Sequence, residues 1–577
     1  MIEALGLLPD VPAFLPDLPP GYLVMLGALL IPLLPSWAGG PVMVLLPLLG
    51  LYHLWSFPAE YTFDTLMAGN HLQPIRIDRL SRIFGTIFHL AALISSIYAL
   101  HVKDKVQQTA SLVYAGSAIG ATFAGDLISL FINWELTAIS SVFLIWASRN
   151  ERAYKVGLRY LVVQVLSGVL LLAGAIALYG ETGSVAFTNM ELEGLGPWLI
   201  FLAFGIKAAF PLLHNWLQDA YPAATVTGTV FLSAFTTKLA IYALARGFAG
   251  TELLIPIGCV MTAFPIFFAV IENDMRRVLA YSLNNQLGYM IVGIGIGTEL
   301  SLNGTAAHAF AHIVYKGLLF MAMGAVLHRV GTIKAAELGG LYKSMPLTTI
   351  FCIIGALAIS AFPLLSGFVT KSMIMSAAAE EHRTITFLVL LFASAGVCDH
   401  SGIKIPFFTF FAHDSGKRCK EAPANMLIAM AIMAAMCILI GIFPAPLYSL
   451  LPYDVPYNAY DITHIVTQLQ LLLFAGLAFA VMMRRGIYPP ELNAINLDFD
   501  WFYRKVIPGI WSHVGPVLVR ARSVFSTEFV GKTVQLTLEG AQRIYSPQGQ
   551  LGEPWPLSKS SFIAAVLLLS YLLLYFL

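Results

Sequence analysis

The sequence predicts an all-α polytopic membrane protein, and three observations carry that prediction. Of its 577 residues 58% are hydrophobic and only 11% charged, where a soluble domain carries about 25% charged residues. The mean hydropathy is +0.77. Apolar runs near the length needed to cross a bilayer, about twenty residues, follow one another along most of the chain. A net charge of +1 leaves no electrostatic footprint for nucleic acid. The five cysteines, Cys259, Cys352, Cys398, Cys419 and Cys437, show neither CxxC nor paired spacing, which argues against a zinc site, an iron–sulfur cluster or a disulfide framework. No glycine pattern for a nucleotide or dinucleotide is present. No cofactor and no resident metal are expected.

Fourteen to sixteen spans are expected, from sixteen apolar runs near 21–36, 40–56, 79–100, 108–125, 126–147, 157–179, 196–213, 225–246, 252–271, 277–297, 304–328, 347–366, 384–411, 424–446, 465–483 and 559–577. Loop charge alternates with them. Basic residues follow the third run (Lys103, Lys105), the fifth (Arg149, Arg152, Lys155), the ninth (Arg276, Arg277), the eleventh (Arg329, Lys334, Lys343), the thirteenth (Lys417, Arg418, Lys420) and the fifteenth (Arg484, Arg485). The loops after the sixth, tenth and fourteenth hold acids instead. Lysine and arginine concentrate in cytoplasmic loops, so the expectation is a multi-pass cell-membrane protein with its N-terminus outside. Residues 486–557 form the one long region without a span. Between Pro516 and Tyr545, Val519, Val524, Phe529, Val530, Val534, Leu536 and Leu538 alternate with Arg520, Arg522, Lys532 and Glu539, the pattern of an interfacial amphipathic helix. A final anchor follows at 558–577.

Ionisable residues inside spans are costly and need partners. Glu135 sits in the middle of GDLISLFINWELTAISSVFLI. Lys207 lies four residues before Pro211, which removes a backbone donor and breaks a helix. Lys404 lies two residues before Pro406, and Gly-Ile-Lys occurs at both 205–207 and 402–404, so corresponding broken helices are expected at the two places. Lys238 is too deep to reach an interface easily. His308, His312 and Lys316 are spaced i, i+4, i+8 and therefore share one helical face, each within reach of the next directly or through a water. Histidine titrates near neutral pH, and a desolvated lysine gives up its proton more readily. Glu135 is expected to pair with Lys207, and a proton to pass by Lys238 and the His308 stripe to Lys404. The competing reading is that these charges only hold helices together.

Five motifs carry a family resemblance: GDLISLFINWELTAISSVFLI, GIKAAFPLLHNWLQDAYPAATVTGTVFLSAFTTKLAIYALAR, DMRRVLAYSLNNQLGYM, HAFAHIVYKGLLFMAMGAV and AFPLLSGFVTKS. In order and spacing, over about residues 75–445, they resemble the proton-conducting antiporter-like membrane subunits. That family includes the large membrane-arm subunits of respiratory complex I and the A- and D-type subunits of Mrp multisubunit antiporters, with the D type the nearer in length and motif variants. The resemblance implies two inverted five-helix repeats with broken helices, at 106–250 and 251–420, between N-terminal helices (1–105) and C-terminal ones (421–485). It implies that Glu135 and Lys207 form the family's glutamate–lysine pair, that Lys238 is the central lysine, and that His308, His312 and Lys316 make the connecting helix. Lys404 would be the terminal group. The family's His-x-Trp-Leu-Pro-Asp-Ala-His reads HNWLQDAY here, with Gln218 and Tyr221 replacing proline and histidine in what is read as a loop. Cys398, Asp399 and His400 lie outside the family pattern. The implied function is that of a proton-conducting subunit. The chain is expected to move protons in a multisubunit Na⁺ or K⁺/H⁺ antiporter and not to act as an enzyme. The alternative is a non-redox pump subunit of a complex I-like NADH:quinone oxidoreductase or membrane-bound hydrogenase. A free-standing carrier of an organic solute is a third reading. Other membrane subunits are the expected partners.

Overall fold

Backbone amides inside a bilayer must be satisfied within the chain, which favours helices. The structure, a computed structural model, describes residues 15, 17–35, 37–67, 70–494, 496–546 and 557–576. In order they form α1 (Tyr22–Ala28), α2 (Gly39–Trp55), β1 (Tyr61–Met67), β2 (Asn70–Ile77), α3 (Arg79–Tyr98), α4 (Lys105–Phe123), α5 (Leu127–Trp146), α6 (Glu151–Thr182), α7 (Leu195–Ala208), α8 (Asn215–Ala223), α9 (Val226–Ala234) and α10 (Thr236–Gly247). Then come α11 (Leu254–Ile271), α12 (Met275–Ile296), α13 (Glu299–Val330), α14 (Pro346–Ile359), α15 (Ser366–Glu380), α16 (Thr384–Phe411), α17 (Ala424–Ile442), α18 (Ile462–Arg485), α19 (Ile507–Tyr545) and α20 (Leu557–Phe576). Among the described residues nine helices are long and apolar enough to cross a membrane, and five shorter apolar helices accompany them. The chain is an all-α polytopic membrane protein. It divides into two units, Met1–Asn496 and Leu497–Leu577.

Side-chain caps set where many helices begin. Asp104, Asp126, Asn150, Asp274, Thr298 and Asp461 each accept from backbone amides of the first turn, and Asp78 forms a capping box with Ser81, supplying partners that a helix start lacks. Burial ranks the helices. The stretch α9–α10 and α13 are almost wholly enclosed, whereas α6 and α18 turn most of their apolar surface outward, as lipid-facing helices do. At the centre α12 buries Ser282, Asn284, Asn285 and Gln286. Such a helix is held by packing on every side and not by its own hydropathy.

The repeat is visible residue by residue. α5 and α12 start from caps Asp126 and Asp274, and isolated bridges join Asp126 to Ala186 and Asp274 to Lys334. α6 and α13 are both 32 residues long and end at Gly183 and Gly331, each left-handed, a conformation glycine adopts freely. Beyond α7 and α14 the chain breaks at the same pentapeptide, AFPLL, at 209–213 and 361–365. Ala209 and Leu212 have φ of 61° and 72°, and Ala361 and Leu364 have 58° and 70°. Four non-glycine residues in the left-handed region each carry strain, so the same costly turn is built twice. Five crossings per copy, α4 to α10 and α11 to α16, put successive copies in opposite senses.

Three expectations need correction. The break expected beside Lys404 is absent: α16 passes through Pro406 by widening into π turns at Cys398–Ile403 and Phe407–Phe411. A π turn absorbs the missing amide and the ring clash that would otherwise interrupt the helix. The repeated Gly-Ile-Lys is therefore not the mark of the duplication; AFPLL is. The run at 347–366 is not one span, because α14 ends at Ile359 and α15 begins at Ser366. And HNWLQDAY is not a loop: Gln218 and Tyr221 lie on α8, with the Tyr221 hydroxyl donating to the Leu232 carbonyl at 2.7 Å. The antiparallel hairpin β1–β2, bulged between Phe63 and Thr65, is a further element that the hydropathy pattern does not announce. It is fastened to the bundle by the Gln73 amide on Asp126 (2.9 Å) and by Arg76 on the Phe187 carbonyl (2.7 Å).

One buried side chain ties the two repeats. The Arg276 guanidinium donates to the carbonyls of Pro222 (3.1 Å), Tyr221 (2.9 Å) and Ala224 (2.9 Å) and to the Thr229 hydroxyl. These carbonyls are the orphan acceptors at the end of α8. Each buried acceptor left unpaired costs about 1–3 kcal/mol, so Arg276→Ala is expected to destabilise the fold by about 3 kcal/mol or more. A thermal melt in detergent checks this; a midpoint equal to that of the parent contradicts it.

In the second unit a π turn at Phe502–Val506 leads into α19, a continuous helix of 39 residues, roughly 58 Å long at 1.5 Å per residue. It begins nine residues before Pro516 and runs through it. Side chains at 518–533, on which part of the amphipathic pattern rests, lie outside the described residues, as do residues 547–556. α20 follows as an apolar helix.

Candidate functional site

The first break positions Lys207 at the last turn of α7. Its ammonium is fully buried, donates to the Trp134 carbonyl (2.6 Å) and the Thr137 hydroxyl (2.9 Å), and lies 4.2 Å from the centre of the Trp134 ring. The Trp134 indole is fixed in turn by Ser167 (3.0 Å). Glu135, next to Trp134 on α5, points toward α6 and packs against Gly168. Its Oε1 is buried with no hydrogen-bond partner. No ion pair joins Glu135 to Lys207: the carboxylate packs against Gly168 while Trp134 and Thr137 hold the ammonium. Their charges still act on each other. A methyl group at position 168 would occupy the space of the carboxylate. Gly168→Ala is thus expected to displace Glu135 and lower proton flux several-fold at unchanged membrane levels, measured in everted vesicles with an immunoblot; unaltered flux would show that the carboxylate's position is immaterial.

Lys238 lies just past the kink between α9 and α10, where Phe235 has φ −103° and ψ −68°. The kink frees the Ser233 carbonyl, which accepts from the Lys238 ammonium at 2.6 Å, with Thr237 at 3.2 Å. This lysine acts electrostatically on His312 and Lys316, so the first repeat meets the stripe of α13 here.

On α13 the three residues do share a face. His308 contacts Thr370 through Nδ1 (3.1 Å) and Gln286 through Nε2 (3.2 Å), with the Tyr315 hydroxyl closing the triangle. His312 lies 6.3 Å from it, ring centre to ring centre, and both its buried ring nitrogens lack partners. Buried imidazole nitrogens without partners are expensive. Lys316 donates to the Ser282 hydroxyl (2.8 Å), Ser401 donates to the same oxygen (2.7 Å), and His400 Nδ1 meets Ser401 (2.9 Å). A hydrogen-bonded line thereby runs from α13 across α12 to the π turn of α16. Lys404, one helical turn past His400, donates to the carbonyls of Ala269 (3.2 Å), Val270 (2.6 Å) and Glu272 (2.7 Å) at the end of α11 and lies 3.0 Å from Glu491.

At the other end a cavity of about 370 Å³ is lined by Asp78, Arg246, Leu302, Thr305 and Ala306 among others. Arg246 grips Asp78 through both guanidinium nitrogens, at 2.6 and 2.8 Å. Thr305, on the cavity lining, lies one turn before His308 on α13. The cavity faces the loop between α10 and α11, whereas Lys404 is at the opposite end of α11. The line therefore runs from one face of the bundle to the other.

Sequence reasoning missed four buried polar residues beside this line. Lys371 on α15 is buried, donates to the Ile359 carbonyl (3.2 Å), sits 5.1 Å over the Tyr289 ring, and acts on His308, His312 and Lys316. The repeated AFPLL, ten residues upstream, is the signal that points to it. Ser282, Ser401 and His400 are polar residues of ordinary appearance, and only the π turn brings the last two inward. Ser401→Ala is expected to cut flux about tenfold with both flanking lysines in place, since it removes one step of a proton path; wild-type flux in vesicles would mean the line is not used. Among the described residues no cluster of three or more His, Cys, Asp or Glu side chains is arranged to hold a metal ion.

Fold and site together define a polytopic membrane protein with buried ionisable groups spanning two inverted repeats. Residues 124–398 match the family model described as NADH:quinone oxidoreductase/Mrp antiporter, TM. Over that stretch, a little under half of the chain, the sequence is similar to this family of antiporter-like membrane subunits. It is 26% identical over 417 residues to hydrogenase-4 component B of Escherichia coli K12, covering 64% of this chain and 62% of that one. It is 28% identical over 418 residues to the D-type subunit of the Na⁺/H⁺ antiporter of Alkalihalophilus pseudofirmus OF4, covering 66% and 84%. Its fold is similar to a chain in the structure of the Mrp complex from Dietzia sp. DQ12-45-1b, with a TM-score of 0.74, 23% identity, and coverage of 95% of this chain and 65% of that one.

Proposed function

We propose that this chain is the proton-conducting subunit of a multisubunit monovalent cation/H⁺ antiporter in the cell membrane. The observation that carries the reading is the line of buried groups from the Asp78–Arg246 cavity through His308, His312, Lys316, Ser282, Ser401 and His400 to Lys404. Glu135, Lys207 and Lys238 extend it into the first repeat. Each buried cation is held by carbonyl or hydroxyl oxygens, so it can lose a proton and keep a place to point. The likeness to the D-type Na⁺/H⁺ antiporter subunit supports the cation-coupled form. The basic loops support a cytoplasmic Lys404 end and an N-terminus outside. The chain carries ions and other membrane subunits complete the assembly; it performs no covalent step.

A second reading is favoured by the likeness to hydrogenase-4 component B: the same relay driven by electron transfer in other subunits. Gentle solubilisation of tagged chain from native membranes separates the two. Small hydrophobic subunits with a second large antiporter-like chain are the result expected of the antiporter. Flavin-, iron–sulfur- or nickel-containing partners would replace it with the redox-driven pump.

A further inference from the structure

Beyond α18 the chain leaves the helices and folds back against the end of α11. Side chains fasten this segment. Tyr488 packs on Phe479 and Phe408, with ring centres at 5.0 and 6.0 Å, Asn273 donates to Asn493 (2.9 Å), and Asn496 reaches the Glu272 carboxylate (3.4 Å). The docking carries Glu491 inward until its side chain is only 7% exposed and 3.0 Å from Lys404.

This carboxylate is not needed to satisfy the lysine. An ammonium has three donors, and three main-chain carbonyls of 269–272 already accept from Lys404. Neither Glu491 oxygen has a hydrogen bond of good geometry. A buried carboxylate so poorly satisfied is costly as a structural element. The groups facing Lys404 are Glu491, Asp399 one wide turn earlier on α16, and Glu272, whose own carboxylate pairs with Arg277 at 3.0 Å. Asp399 Oδ1 and the Tyr488 hydroxyl are buried without partners beside them. Burial pushes the Glu491 carboxyl above the usual carboxylate range, with Lys404 pulling the other way, which makes proton binding accessible nearer neutrality.

We propose that Glu491 is the terminal proton-exchange group of the relay, passing protons between Lys404 and water at the membrane surface. The inference rests on the proton-relay reading above. In the release step the Lys404 ammonium gives one proton to the Glu491 carboxylate, leaving a neutral amine and a carboxylic acid. The acid releases that proton to water, and the next proton arriving by His400 recharges the lysine. Uptake is the reverse.

The test compares Glu491→Gln, Glu491→Asp and Asn493→Ala in the intact complex, in everted vesicles. Glu491→Gln is expected to lose at least tenfold of the cation-driven proton flux with undiminished complex, Glu491→Asp to keep at least half, and Asn493→Ala, which loosens the segment that carries Glu491, to fall between the two. Full flux in Glu491→Gln overturns the proposal, and so does a loss in Glu491→Asp equal to that in Glu491→Gln. If wild-type vesicles move protons only with a redox substrate, the antiporter reading fails and the same comparison is made on that flux. A readout independent of transport is the infrared pH-difference spectrum of the purified complex. A protonated-carboxyl band present in the parent and lost in Glu491→Gln is expected; a band unchanged by the substitution overturns the assignment.

Discussion

Lys316→Ala is expected to reduce proton flux at least about 100-fold, the lower end of what a positioned proton-transfer group contributes, while the chain stays in the membrane at parental levels. Lys316 is the junction of the whole line: it follows the two histidines on α13 and hands on to Ser282 at 2.8 Å. Its removal leaves the Ser401–Ser282 bond in place, so the fold loses a buried charge and no obligatory partner. The companion Lys316→Arg makes the argument sharper. Arginine keeps the positive charge but does not deprotonate in proteins. If the lysine carries protons, both variants are inactive. If it only supplies a field, Lys316→Arg keeps most of the flux, and the relay assignment is wrong at its centre.

Lys371→Ala is expected to cost tenfold or more, and Lys371→Arg much less. Lys371 lies off the hydrogen-bonded line, over the Tyr289 ring and bonded to the Ile359 carbonyl at the second break. Its charge acts on His308, His312 and Lys316 together. Like charges in a site of low dielectric cannot all be present at once without large cost, so in the proposed relay Lys371 limits how many protons the stripe holds. Arginine preserves that effect. Proton flux in everted vesicles at several pH values is the measurement, and equal loss in both variants would make Lys371 a carrier instead of a regulator of the stripe.

Much of this is legible in the chain, for identifiable reasons. An ionisable residue in an apolar run stands out because the bilayer penalises it, and Glu135, Lys207, Lys238 and the i, i+4, i+8 stripe of α13 are recognisable that way. Their partners are not, since backbone carbonyls leave no trace in composition. Lys207 therefore looks like half of an ion pair, when Trp134 and Thr137 hold it. Lys371 is hidden because Ser372, Ser376 and Glu380 make α15 too polar to resemble a span. The break near Lys404 is suggested by Pro406, a residue that π turns accommodate. Glu491 is out of reach altogether: it is a tail residue 87 positions after the lysine it meets in the fold, with no periodicity to announce it.

The most direct test of the central claim is proton movement by the reconstituted complex, with an imposed Na⁺ or K⁺ gradient as the sole driving force, in the parent and in Lys316→Ala side by side. The relay through this chain predicts a pH change inside the vesicles that depends on the cation gradient and disappears in the variant. A parent complex that moves the cation while Lys316→Ala moves protons just as fast would contradict it, since the protons would then cross by another route.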